Sequence, residues 1–102
     1  MFKEGGIFMV RIPQITSLET AIKLYYENIE IGNQEIKMLF GSISSATVCK
    51  LKNLAKEKML ENNVPSWNAL NVNTKTAYKA WGLDIDDLKF RYNKLKELNL
   101  MF

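Results

Sequence analysis

Histidine is absent from the 102 residues, and Cys49 is the sole cysteine. Without an imidazole, Ser-His-Asp and Cys-His catalysis are excluded and the usual transition-metal ligand set is missing. No cofactor or metal is therefore expected, and the remaining carboxylates form no constellation that reads as an enzyme. A single cysteine cannot build an internal disulfide framework and suits a reducing compartment, so the expected location is the cytoplasm. No apolar run approaches the roughly 20 residues of a membrane span. Hydrophobic residues make up 47% and charged residues 25% of the chain. That balance is close to the globular average and excludes wholesale disorder or a collagen-like repeat. The length favours one domain with a core large enough to fold without staples.

The net charge of +3 is unevenly placed. Residues 1–36 carry three basic groups against five acidic ones, a net −2, whereas residues 37–96 carry eleven against five, a net +6. Basic charge gathered in one part of a small chain points towards a polyanionic partner.

The expected fold is all-α, a bundle of about five helices in one domain over 13–102 after an extended lead-in over 1–12. Pro13 ends the lead-in by fixing its own φ and pushing Ile12 away from helix. Thr16-Ser17-Leu18-Glu19 has the capping-box pattern T-x-x-E and opens a helix over 17–31, with Leu18, Ile22, Tyr25 and Ile29 on one face. Gly32 ends it, and Asn33 caps a short helix over 33–40 that turns Ile36, Leu39 and Phe40 inward. A longer helix over 44–62 starts from Ser44 or Ser45 and buries Val48, Leu51, Ala55 and Met59. Residues 64–73 read as an irregular connection whose Trp67 and Leu70 dock on the core. Asn73 and Asp84 cap helices over 74–81 and 85–98, the last with Ile85, Leu88, Tyr92 and Leu95 along one side.

The segment from Asn33 to Lys52 joins a short helix to a longer one through Gly41. A glycine tolerates the backbone such a turn needs, and Ile43, Val48 and Leu51 are spaced to wedge the second helix across the first. Leu39-Phe40-Gly41, Ile43-Ser44-Ser45-Ala46-Thr47-Val48 and Lys50-Leu51 resemble the helix-turn-helix of many bacterial and phage regulators, whose pattern reads like L-F-G-V-S-x-S-T-I-x-R-L. The match covers about a fifth of the chain and departs from the pattern twice. Ser42 is an extra turn residue, and Lys37 stands where such motifs usually carry a small one.

That resemblance implies a sequence-specific or architectural protein of double-stranded DNA, a small transcriptional regulator of a bacterium, phage or mobile element. Helix 44–62 would enter the major groove, with a second protomer or second site adding contacts. Ser44, Ser45 and Thr47 combine hydroxyls with a helix N-terminus, a chemistry suited to phosphate oxygens. Ser45, Ala46, Cys49, Lys50 and Asn53 lie opposite the apolar face and would turn towards base edges. By donor and acceptor type Lys50 suits guanine, Asn53 adenine and Ala46 a thymine methyl. Lys52, Lys56 and Lys58 suit sequence-blind phosphate contacts.

The second half echoes the first, with Trp81-Gly82 standing where Phe40-Gly41 stands. Asp84, Asp86 and Asp87 at the start of its second helix would repel phosphate, so core packing or a dimer seam suits that helix better than DNA reading. The alternative function is a protein-interaction module, an adaptor or phage-encoded inhibitor contacting its partner through Tyr26, Tyr78, Phe90 and Leu100-Met101-Phe102.

Met1–Phe8 has no clear period, but Lys3-Glu4-Gly5-Gly6-Ile7-Phe8-Met9 can be encoded by AAA GAA GGA GGT ATT TTT ATG. This string places a purine-rich bacterial ribosome-binding sequence just upstream of an ATG. Met9 is the expected start and residues 1–8 a translated leader; the alternative is a short strand, Ile7–Ile12, pairing with itself or another chain. Mass spectrometry of the protein from its native host should find a chain beginning at Met9, and an intact Met1 would refute the leader.

Overall fold

The computed structural model describes residues 11–98. The expected leader, the Ile7–Ile12 strand but for its last two residues, and the Leu100-Met101-Phe102 contact lie outside them. Five helices and two very short strands follow in the order α1 (Leu18–Glu27), β1 (Glu30–Ile31), α2 (Asn33–Phe40), α3 (Ser45–Glu61), β2 (Val72–Asn73), α4 (Thr74–Ala80) and α5 (Ile85–Glu97). The protein is thus mostly helical, and the all-α expectation needs one correction. β1 and β2 pair antiparallel, Glu30 opposite Asn73 and Ile31 opposite Val72. Ile31 and Val72 are both buried, so this pair closes the core as well as joining the halves of the chain.

The strand pair also explains why α1 stops at Glu27 and not at 31. Asn28 adopts an extended backbone, and both its backbone N–H and its side-chain amide donate to the Leu24 carbonyl, at 3.2 and 3.1 Å. The chain then runs to the strand, where the Ile29 carbonyl accepts from Thr74 N at 2.9 Å. Ile29, expected on the inner face of α1, is consequently exposed. A helical period cannot anticipate this, because the competing hydrogen bonds come from residues more than forty positions away.

Local capping is close to the sequence pattern, with two shifts. Ser17 caps α1, its Oγ accepting from Thr20 N at 3.0 Å. Thr16, the expected cap, closes the far end of α2: its Oγ1 donates to the carbonyls of Met38 and Leu39 at 2.9 and 3.2 Å. Those carbonyls are among the last of α2 and have no partner inside it. Gly32 caps α2 where Asn33 was expected, and its N–H donates to Glu35 Oε1 at 2.8 Å. Ser44, Asn73 and Asp84 cap α3, α4 and α5 as the sequence suggests, accepting from Thr47 N, Thr76 N and Asp86 N at 3.1, 2.9 and 3.0 Å.

The core gathers Ile36, Leu39 and Phe40 of α2 with Val48, Leu51, Ala55 and Met59 of α3. These are the inward residues their helical spacing picks out. Burying a side chain the size of Leu51 contributes roughly 1.5–3 kcal/mol. α4 packs along α3, and α5 along α1. Of the α5 stripe Leu88 is buried, while Ile85, Tyr92 and Leu95 are half-buried. Tyr78 corrects another expectation. Instead of being exposed it is 1% accessible, its hydroxyl donating to the Ala21 carbonyl at 2.6 Å. It continues an aromatic chain of Phe40, Trp81, Tyr78 and Tyr25, each ring 5.1–6.4 Å from the next. The docking expected of Trp67 and Leu70 does not occur, since each is 72% exposed.

Two turns share one device. Gly41 closes α2 and Gly82 follows α4, with φ of 87° and 75°, so the two halves repeat the order strand, short helix, positive-φ glycine, longer helix. They differ in their surroundings. At Gly41 ψ is −150°, a region open essentially to glycine alone, and an added Cβ would sit 3.1 Å from Thr16 Cγ2. At Gly82 a Cβ would meet nothing within 4 Å. Gly41→Ala should therefore lower the unfolding free energy by about 1–3 kcal/mol in urea titrations, and Gly82→Ala by less.

Burial pushes the Tyr78 phenol well above its ordinary pKa of 10.0, with the neighbouring Tyr25 adding to the rise. The folded state therefore keeps a proton that the unfolded chain releases above that value, and stability should fall as pH rises beyond about 10. Thermal unfolding from neutral to strongly alkaline pH should show that decline, and Tyr78→Phe should flatten it while losing about 1 kcal/mol at neutral pH for the missing hydrogen bond.

Candidate functional site

The start of α3 and the face of α2 beside it form the most basic concavity among the described residues. Ser45, Cys49, Lys52 and Lys56 recur at helical spacing on one side of α3, with Asn53 at their edge. α2 brings Asn33 and Lys37 against them, and the groove between has a volume of about 230 Å³. Its three ammonium groups, from Lys37, Lys52 and Lys56, meet no carboxylate in the groove lining. Lys52 Nζ donates to Asn33 Oδ1 at 3.0 Å, which fixes the lysine across the gap between the helices. Asn53 Nδ2 lies 3.9 Å from Cys49 Sγ, a weak contact on an exposed thiol.

The residues singled out in the sequence are split by the fold. Ser45, Cys49, Lys52, Asn53 and Lys56 come together in the groove. Ala46 and Lys50 are exposed on the adjoining ridge of α3, outside the groove, and no other element covers them. Ser44 and Thr47 are engaged with each other: beyond the cap bond, their hydroxyls lie 3.0 Å apart. Lys58 does not join the phosphate set. It points to the other side of α3, 3.8 Å from Glu61, in a shallow depression that also holds Glu57 and Lys79.

Asn33 and Lys37 are the members that sequence reasoning missed. Asn33 read as a helix cap, but Gly32 takes that role and frees the amide to meet Lys52. Lys37 was visible as a departure from the helix-turn-helix pattern, and that departure is the signal: a long cation replaces a small residue where α2 faces α3.

The corresponding concavity of the second half, between α4 and α5, is larger, about 520 Å³, and of mixed charge. Lys75 and Lys79 face Asp84 and Asp86 there, with Tyr25 and Tyr78 in its wall. Burial, followed by the neighbouring Tyr26 and Asp86, raises the pKa of Tyr25. Carboxylates at the start of α5 suit its own dipole and repel an anion. The groove at α3 is instead built to hold phosphate or another oxyanion, with neutral amide, hydroxyl and thiol groups beside the cations.

Among the described residues no helix is long and apolar enough to cross a membrane, and no three His, Cys, Asp or Glu side chains gather where they would hold a metal ion. Comparison of the chain with known protein families, curated proteins and solved structures finds no match.

Proposed function

We propose that this is a DNA-binding protein that lays α3 in the major groove of duplex DNA and holds the flanking phosphates with Lys37, Lys52 and Lys56. The observation that carries the reading is the three-lysine groove beside an uncovered α3 ridge of Ala46, Lys50 and Asn53. A recognition helix needs such a ridge for base edges and cations at its side for the backbone. The α2–Gly41–α3 unit then acts as a helix-turn-helix in which α2 braces α3 across the backbone. Ser45, Cys49 and Asn53 approach the bases from the groove side, and Ser44 and Thr47 serve chiefly as the cap that keeps the start of α3 intact. Glu57 ends the ridge one turn beyond Asn53, which confines reading to the first turns of α3. So short a reading surface calls for a second protomer or a second site to reach a specific affinity. The role is that of a small transcriptional regulator or DNA-architecture factor of a bacterium, phage or mobile element, acting in the cytoplasm without catalysis.

The alternative, a protein-interaction module without nucleic acid, draws on Tyr26 and Phe90, exposed by 60% and 63% on α1 and α5. Tyr78, the third residue counted for it, is buried.

Fluorescence anisotropy with mixed-sequence duplexes over a range of salt concentrations tests the proposal. Affinity should fall linearly on a log–log plot against salt. Replacing Lys37, Lys52 and Lys56 together by Ala should weaken binding to every sequence and flatten the slope by about 2–3, at close to 0.9 per phosphate contact. Lys50→Ala should alter sequence preference instead. Absence of binding to any duplex at low salt would overturn the reading.

A further inference from the structure

The connection from Val64 to Asn71 leaves Trp67 and Leu70 in water, each 72% exposed. An indole buries more apolar area than almost any other side chain, so leaving one exposed forgoes a large gain. The connection is nonetheless held in place. Trp67 N donates to Glu30 Oε2 at 2.8 Å, which ties the backbone to β1. Asn68 organises the rest: its side chain accepts from Leu70 N at 2.8 Å, and its carbonyl from Asn71 N and Ser66 Oγ at 2.9 and 3.2 Å. The indole is thus presented to solvent by an ordered turn.

Its position matters. The Asn71 side chain abuts Gly32, where a Cβ would lie only 2.6 Å from Asn71 Oδ1. The next residue, Asn33, accepts the bond from Lys52 in the basic groove. Groove and turn therefore share an edge. No charged residue occurs between Glu61 and Lys75, a stretch rich in asparagine. The nearby carboxylates, Glu30 and Glu35, direct oxygens to the backbone N–H groups of Trp67 and Gly32.

Resting on the DNA-binding reading, we propose that this turn is a second nucleic-acid contact, in which the Trp67 indole packs on a sugar or base of the strand whose phosphates occupy the lysine groove. The adjoining cations attract a polyanion, and beyond its phosphates a nucleic acid offers flat, neutral surfaces. An indole stacks on any of them, and neutral amides suit the mixed donors and acceptors of base edges. An acidic protein would offer carboxylates at this turn, which has no cation to meet them.

The two tryptophans make the test direct. Trp81 is 3% exposed and its indole N–H donates to the Leu51 carbonyl at 2.8 Å, so long-wavelength emission and its quenching by acrylamide report Trp67. On titration of the full chain with mixed-sequence duplex DNA at low salt, that emission should change and become protected from acrylamide. Trp67→Ala should weaken binding roughly tenfold with no change in salt slope, since no phosphate contact is lost. Trp67→Phe should restore most of the affinity, and the Trp81 emission of both variants should remain that of the folded protein. If duplex binding is intact while Trp67 emission is unchanged and Trp67→Ala binds like the parent, this inference falls and the DNA-binding reading stands. If no duplex binds at all, both fall.

Discussion

The hydrogen bond from the Trp81 indole to the Leu51 carbonyl is the contact on which the rest of the molecule leans. It fastens α4 to the middle of α3 at a point sealed from water, where an unpaired indole N–H would be costly. Phe40 meets the same indole edge-on from α2, with ring centroids 5.4 Å apart. Tyr78, one turn back along α4, reaches α1 through the Ala21 carbonyl. One residue pair thus sets the relation of α2, α3 and α4, and its neighbour adds α1. The order of packing is α3 on α4 and α1 on α5, with the short strand pair stitching the halves together.

This arrangement leaves one side of α3 free. The apolar side from Val48 to Met59 is consumed by α2, α4 and β2, which turns Ser45, Cys49, Lys50 and Asn53 outward. The basic groove follows from the same placement, because α2 meets α3 with Asn33 and Lys37 foremost. The lead-in takes part as well, with Thr16 closing the carbonyl end of α2 next to the Gly41 turn. A polyanion approaching α3 therefore meets a rigid corner braced from three directions, and rigidity at a binding surface lowers the ordering cost of association.

Much of the scaffold was legible in the residues. The inward faces of α2 and α3, the caps Ser44, Asn73 and Asp84 and the glycine turns all follow from period and local hydrogen bonding, which act within four residues. Of the groove, the α3 contribution was legible because it shares a helix face, and the α2 contribution was not. Lys37 and Asn33 join it only through the crossing of two helices, and Lys58 leaves it because the turn of α3 carries it past the edge. Composition suggested exposure for Tyr78 and burial for Trp67, and the fold reverses both. A tyrosine hydroxyl suits either place, so its partner decides.

By itself the sequence determined where helices form, which faces of α2 and α3 turn inward and that positive charge concentrates after residue 36. Those properties are written in neighbours. Tertiary structure alone decided that β1 pairs with β2, that Tyr78 goes inside, that Trp67 stays in water and that α2 and α3 share three lysines. Each of these depends on a partner distant along the chain: Ala21 for Tyr78, Glu30 for Trp67, Asn33 for Lys52. No local period encodes such meetings, because the entropy of closing the intervening loops is offset only by the assembled core.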